Sequence, residues 1–364
     1  MKKKFIRLAC GLDISKKSFH ACFGGQNEQG DFIIQGQRKF SNTFKGIEAF
    51  LLWLEKYCLK FNKDKEIPFQ LLMETTGVYH EGILFATHEA GIKVCLELAK
   101  RVKLYLRSIG QESKTDKLDA RGICRMACER KFRLWQPASK NIYRLRTALR
   151  QRKSLIKSRV RFSNQLHAQN YSQSSSKEVK ASIERMIKQL KREIAKLEKH
   201  IVELYERDKR LHSRLNPIIE SVLGLGLFTA LTIVAETNAF SLVTSRKQLA
   251  SYAGYDIIEN SSGAVHRKTK ISKQGNARIR SELYMAAAAL IRSKKGPIYE
   301  LYLRIRKRNP KIYKIANVAV QRKLLLLVYT LFKKQERFDL QKYHLTKPIE
   351  VKQVAPSLAQ SYTR

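Results

Sequence analysis

The opening of this chain constrains its fold more than any other stretch. Three apolar runs, residues 5–15, 18–25 and 32–41, follow one another with nothing but turns between them, GGQNEQGD joining the last two. Runs this short and this rich in Phe, Ile and Cys, bounded by Gly, Asn and Asp, predict three antiparallel β-strands. After them helix and strand alternate. TFKGIEAFLLWLEKYC carries an apolar stripe at helical spacing with Thr43 placed to cap it. PFQLLMET reads as a buried strand, GVYHEGILFATHEAG as a helix with a glycine stop, and IKVCLEL as a strand. AKRVKLYLRSIG and KTDKLDARGICRMACER complete the region as helices. The order βββαβαβα predicts an α/β domain.

Four carboxylates fall at telling places in that order. Asp13 ends the first strand and Glu74 ends the fourth; Asp116 and Asp119 lie three apart at the start of the last helix, so one helical face presents both. Any one of them, alone, reads as solvated surface. As a set they occupy the strand ends and helix face that a ribonuclease-H-like fold brings together. Four clustered carboxylates repel one another unless a cation holds them. Their hard oxygens suit Mg²⁺ or Mn²⁺, and a pair of such ions can stabilise the attacking and leaving oxygens of a phosphoryl displacement.

Charge points the same way. The 364 residues carry 72 Lys and Arg against 31 Asp and Glu, a formal charge of +41, while 43% of the residues are hydrophobic. The chain can therefore bury real cores, yet it repels itself until a polyanion relieves the charge. Nucleic acid is the natural partner. A membrane surface fits less well, because the cations spread through folded segments instead of lining one amphipathic helix. No uninterrupted run reaches the roughly 20 apolar residues of a membrane span, and LLLLVYTLF reads as a buried helix. The basic start MKKKFIRLACGLD is too short and interrupted for a signal peptide. Cys10, Cys22, Cys58, Cys95, Cys124 and Cys128 form no CxxC pair, which argues against zinc and for small core residues in a reducing, cytoplasmic setting.

From Lys140 to Arg161 no acidic residue occurs, and Arg144, Arg146, Arg150, Arg152 and Lys153 lie among nine cations above a stripe of Leu145, Leu149, Ile156 and Val160. A solvated helix face accounts for such a run; a rail for the nucleic-acid backbone accounts for it better. QNYSQSSSK then breaks the helix. Ile183, Ile187, Leu190, Ile194, Leu197, Ile201 and Leu204 alternate spacings of four and three, which predicts a coiled coil whose partner is either the preceding helix or another subunit. Beyond Asn216-Pro217, two apolar helical stretches joined by Gly-Leu-Gly resemble a helix-hairpin-helix, whose turn can offer N–H groups to phosphate.

One more segment is dense in chemistry. ENSSG is a short polar loop with paired serines, and Lys268, Lys270, Lys273, Arg278 and Arg280 crowd its downstream side before a strongly helical run. An SSG is ordinarily a turn. In a cationic setting a serine can also attack phosphorus, if a base takes its proton and the cations meet the developing charge.

Taken together these motifs resemble the Piv-type DEDD transposases of insertion sequences, the bridge-RNA-guided recombinases, over residues 5–335. GLDISKKS, METTGVY and KTDKLDA match the acidic motifs; LGLGLFTALTIVAE and the SSG…ISKQGNARIR block match the C-terminal transposase domain. The resemblance implies a RuvC-like domain in which Asp13, Glu74, Asp116 and Asp119 bind Mg²⁺ or Mn²⁺. It implies a serine nucleophile at Ser262, with Ser261 as the alternative; the cations beside that loop make Arg278 and Arg280 candidates for phosphate contact and Lys273 a candidate for nucleic-acid binding. The family's proline after the Ala-Gly pair is missing from AGYDIIENSSG. The expected architecture is α/β plus all-α: a ribonuclease-H/RuvC-like domain at 1–135, a basic helix and coiled coil at 136–215, a helical transposase domain at 216–337 and a polar tail at 338–364. The expected activity is RNA-guided DNA strand cleavage and exchange, with double-stranded donor and target DNA, a structured guide RNA, and dimers assembling into a tetramer as partners. A metal-only nuclease of the Holliday-junction-resolving type and a non-catalytic nucleic-acid scaffold are the competing readings.

Overall fold

A computed structural model describes residues 5–341, apart from 65, 76, 114, 259–260, 263–264, 267–269, 309 and 311; for residues 261–262 and 265–266 it describes the backbone alone. The chain divides after Pro137 into two compact units.

The first unit is built on β1 (Phe5–Ile14), β2 (Ser18–Asn27), β3 (Phe32–Ser41), α1 (Phe44–Asn62), β4 (Phe69–Glu74), α2 (Glu81–Glu89), β5 (Val94–Glu97), α3 (Ala99–Ser108) and α4 (Asp116–Glu129). The sheet runs β3-β2-β1-β4-β5. β1 pairs antiparallel with β2 and β2 with β3, whereas β1–β4 and β4–β5 are parallel. This is the mixed sheet expected of a ribonuclease-H-like domain. Thr43 caps α1 by accepting from the Gly46 N–H, as its position predicts.

Alternation along the strands separates two cores. Leu8, Cys10, Leu12, Leu71 and Met73 pack with Phe50 and Leu54 of α1 and Ile83 and Leu84 of α2. Ala9, Leu72, Cys22 and Cys95 pack with α3 and α4 on the opposite face. All six cysteines are free thiols and five are buried.

β2 runs to Asn27, two residues past its expected end at 25, and passes through Gly24 and Gly25, which also open the GGQNEQGD stretch that reads as turn in the sequence. A side chain at Gly24 would meet the Phe32 ring and the Ile33 carbonyl, and one at Gly25 would meet Phe5 and Leu8. These glycines therefore serve close packing across the sheet. The turn is made instead by Asn27, whose side chain accepts from the Asp31 N–H at 2.7 Å, and by Gly30 at φ +88°.

The second unit begins with α5 (Lys140–Tyr171) and α6 (Lys177–Arg207). Asn141, at the start of α5, donates to the Leu204 carbonyl at 3.2 Å and to Asp208 at 2.9 Å, at the end of α6. Arg152 pairs with Glu198 at 2.7 Å. The two helices thus form an antiparallel hairpin, and within the chain the partner of the heptad stripe is the preceding helix. Leu190, Ile194, Ile201 and Leu204 are buried, while Ile183 and Ile187, toward the tip, are half-buried.

The base of the hairpin shares one core with α7 (Lys209–Ser221), α8 (Leu227–Glu236), α9 (Arg246–Ala253), α10 (Ala277–Ser293), α11 (Pro297–Arg308) and α12 (Tyr313–Lys334). Segments 136–215 and 216–337 thus contribute to a common interior. In the α7–α8 turn Gly224 has φ +80°, and a side chain there would meet Leu290 and the Ala286 carbonyl. α12 is long and apolar enough to cross a membrane, with a mean hydropathy of 1.4. Its Val320, Leu324, Leu325, Val328 and Phe332 instead fill this core.

Candidate functional site

The parallel pairing of β1 and β4 puts two of the four acids side by side. Leu12 lies opposite Met73, so Asp13 and Glu74 follow at neighbouring carboxyl ends. By strand alternation both belong to the face of Ala9 and Leu72, the face covered by α4. α4 lies very close there, because Gly11 has no side chain: a Cβ would meet the Cys124 backbone N at 2.2 Å and the Ala120 carbonyl at 2.6 Å. The same contact brings the N-terminal turn of α4, with Asp116 and Asp119, toward that end of β1. Thr115 caps this turn by accepting from the Leu118 N–H at 3.2 Å. The helix dipole by itself favours acids there, which is the structural reason for their presence that needs no metal.

Neighbours hold two of these acids. Gln111 donates to Asp119 at 2.7 Å. His20, opposite Asp13 on β2, brings Nδ1 to 3.7 Å from Asp116 Oδ2, ion-pair range and longer than a hydrogen bond. Burial pushes the His20 pKa below its ordinary value and outweighs the pull of Asp116; Lys39 and Lys117 push the same way. Glu97 adds a fifth carboxylate. It pairs with Glu74 across β4–β5, is buried, accepts from the Leu98 N–H at 2.8 Å and lies 3.6 Å from Arg101. Neither His20 nor Glu97 stands out in the sequence. Only the pairing register reveals them.

Hard carboxylate donors at one end and on one face of the sheet fit Mg²⁺ or Mn²⁺ in kind. Among the described residues, however, no three His, Cys, Asp or Glu side chains form a group that could hold a metal ion. The backbone brings the four acids to one region without closing them into a ligand set.

In the second unit the paired serines do not sit in an open loop. Ser261 and Ser262 form β7, antiparallel to β8 (Val265–His266), with Ser261 opposite His266 and Ser262 opposite Val265. β6 (Ile257–Ile258) pairs with β9 (Lys270–Ile271). Among the described residues the β7–β8 pairing is nested in sequence within the β6–β9 pairing, a β-ribbon pattern. The choice between Ser261 and Ser262 depends on side chains outside the described residues.

The ribbon is clamped at its base. Gly254 (φ +76°) and Gly275 (φ +156°) cross so closely that a side chain on Gly275 would meet the Gly254 N at 2.6 Å. Lys273, also at positive φ, donates its N–H to the Gly254 carbonyl at 3.1 Å, and Asn276 donates to that of Tyr252 at 2.8 Å. Both flanks reach Glu236 at the end of α8. The Tyr252 hydroxyl donates to its carbonyl at 2.7 Å and the Asn276 amide to its carboxylate at 2.8 Å.

The same carboxylate takes Arg150, and Arg278 lies 4.0 Å from it. Lys153 pairs with Glu282 at 2.6 Å. Arg146 donates to the Ala235 carbonyl at 2.9 Å and Arg280 to that of Ala253 at 2.8 Å. With Arg152 on Glu198, four of the nine cations of the expected rail are thus engaged inside their own unit by acids and carbonyls from distant elements. Arg144 and Lys273 have exposed side chains. Glu236, absent from the sequence-based set, is the residue on which ribbon, α5 and α10 converge.

A ribonuclease-H-like sheet with carboxylates at its central strand ends, followed by a helical unit holding a polar ribbon, is the class of protein that cuts or recombines nucleic acid. Residues 10–169 match the model of the DEDD transposase domain of IS110 type, and residues 216–303 match the transposase model of the IS116/IS110/IS902 family. The two parts of the chain are thus similar to the two domains of an IS110/IS116-family transposase. It is 27% identical to the pilin gene-inverting protein of Moraxella bovis, over 93% of this chain and 98% of that one. It is 26% identical to the transposase for insertion sequence element IS1111A of Coxiella burnetii, over 57% and 62%. A solved structure of T. thermophilus RuvC with a Holliday junction substrate overlaps 33% of this chain and 90% of its own, at 13% identity and a TM-score of 0.25. The strand order, and not this overlap, defines the fold.

Proposed function

We propose that this protein is an RNA-guided DNA recombinase that moves or inverts a DNA segment. The observation that carries the reading is the adjacency of Asp13 and Glu74 on the face covered by α4, with Asp116 and Asp119 in its first turn. Asp13, Glu74, Asp116 and Asp119 would hold Mg²⁺ or Mn²⁺. The ion would polarise a phosphoryl oxygen and offset the repulsion among the acids.

Ser262, or Ser261, is the proposed nucleophile. Its Oγ forms a bond to phosphorus as the bond to the leaving DNA oxygen breaks, and its proton passes to a base. Phosphoester bonds are conserved, so the reverse attack rejoins a new partner. The Glu236 clamp supports this role, since it fixes the base of the ribbon that carries the serines. The relatives named for pilin gene inversion and for transposition support the substrate, double-stranded DNA. The charge of +41 supports an additional polyanion, proposed here as a structured guide RNA whose pairing reads sequence while the protein reads shape. A tetramer assembled from dimers would bring donor and target together, in the bacterial cytoplasm on the nucleoid.

The test is to trap protein joined to DNA with the purified chain, Mg²⁺, its RNA and element-end DNA. Ser262→Ala should abolish the adduct while nucleic-acid binding persists. Cutting that leaves only free ends, with Ser261→Ala and Ser262→Ala both fully active, would overturn the covalent route and leave a metal-only nuclease. A protein inert under these conditions would be a scaffold.

A further inference from the structure

A cleft of about 670 Å³ opens in the first unit between the end of β5, α3, the end of α4 and residues 130–133. It is distinct from the four acids and plays no part in the reading above. Its rim is cationic: Arg101 on α3, then Arg130, Lys131 and Arg133 in the segment after α4, all exposed. Its lining is apolar at Leu96, Met126 and Phe132, of which Phe132 is half-buried, and the buried Tyr105 lies behind them. The Tyr105 hydroxyl is held by Glu129 at 2.8 Å, and the Arg130 guanidinium lies 4.9 Å from the centre of the Tyr105 ring.

Cations around an aromatic and apolar floor match a phosphate attached to a flat base. Unpaired bases stack on aromatic rings and on guanidinium planes while the backbone lies along cations. The volume suits a ligand of nucleotide size. Its place in the sheet adds a reason. Glu97 belongs to the cleft lining and is the register partner of Glu74, so the cleft begins one strand, about 4.8 Å, from an acid-bearing strand end.

We infer that this cleft seats an unpaired nucleotide of a nucleic-acid strand, its base on Phe132 and its phosphate among Arg101, Arg130 and Lys131. The nucleotide would adjoin a phosphate lying at the acids. That adjacency rests on the proposed function; the affinity for an unpaired nucleotide does not. A DNA strand and an RNA segment share this chemistry, so both enter the test.

The full-length protein is irradiated with a short single-stranded DNA, and separately an RNA of the same sequence, each carrying 5-iodouracil. Crosslinked residues are mapped by mass spectrometry. Crosslinks are expected at Phe132, and the oligonucleotide that gives them identifies the source. In parallel, Arg130→Glu/Lys131→Glu should weaken single-strand binding about tenfold more than duplex binding. The equal charge change at exposed positions of α6, Lys188→Glu/Lys191→Glu, should weaken both alike. Asp13→Asn should leave the crosslink intact, so loss of strand exchange and loss of this site are separately visible. Crosslinks confined to other residues with both oligonucleotides, or equal losses for single strand and duplex in the cleft variant, would overturn the inference.

Discussion

Arg150 on α5 grips Glu236 at the end of α8 with both arms of its guanidinium, Nε to Oε1 at 2.7 Å and the second nitrogen to Oε2 at 2.9 Å. Glu236 is only 4% exposed, so this pair ties the helical hairpin to the base of the serine ribbon in a place where an unpaired charge is costly. Arg150→Ala leaves that carboxylate buried. It should cost about 3 kcal/mol of stability in the second unit, read as a lowered denaturation midpoint.

Burial alone would raise the Glu236 pKa. The hydrogen bonds from Arg150 and Asn276 and the charges of Arg150 and Arg278 outweigh it, so the pKa is lowered. A carboxylate with a depressed folded-state pKa stabilises above its unfolded value of about 4.3, and that contribution is lost as pH falls through the folded value. Glu236→Gln should therefore be less stable than the wild type at neutral pH, and the gap should narrow on acidification below about pH 4.3. A gap constant over that range, in melts from pH 7 downward, would refute the assignment.

Gly11 sets the distance between β1 and α4. Gly11→Ala drives a methyl into the Ala120 carbonyl and the Cys124 amide, backbone atoms that a side-chain rotation cannot move. Overpacking of this kind costs about 1–3 kcal/mol, and the shift of α4 carries Asp116 and Asp119 with it. The variant should melt lower and lose strand cleavage by more than its folded fraction accounts for. Full activity per folded molecule would show that the α4 approach is not what places the acids.

Asp13→Asn and Glu74→Gln should each abolish strand cleavage while leaving nucleic-acid affinity within about twofold, since one charge in a protein of +41 barely alters the long-range field. Titration of Mn²⁺ should show weaker binding in both variants. Unchanged Mn²⁺ affinity in both would exclude these two residues as ligands.

Binding of DNA or RNA should weaken steeply with salt, by about 10³–10⁵ between 50 and 200 mM if 6–10 phosphates are neutralised. An affinity insensitive to salt over that range would remove the charge argument for a polyanion partner.

Local pattern carried much of this protein. The three opening strands, the Thr43 cap, the helix–strand alternation and the acids at strand ends are all legible in the sequence, because apolar period and capping chemistry act over a few residues. Long-range pairing is not. The engagement of Arg150, Arg152 and Lys153 by Glu236, Glu198 and Glu282 depends on helices that meet only on folding, so an acid-free run of sequence is no guide to free cations. His20 and Glu97 join the acidic face through strand register, a property of two segments at once. Gly24 and Gly25 look like turn residues until Phe5, Leu8 and Phe32 come to cover them. Short-range propensity thus decided which elements form, and side-chain packing between distant elements decided which charges are spent on structure and which are left for nucleic acid.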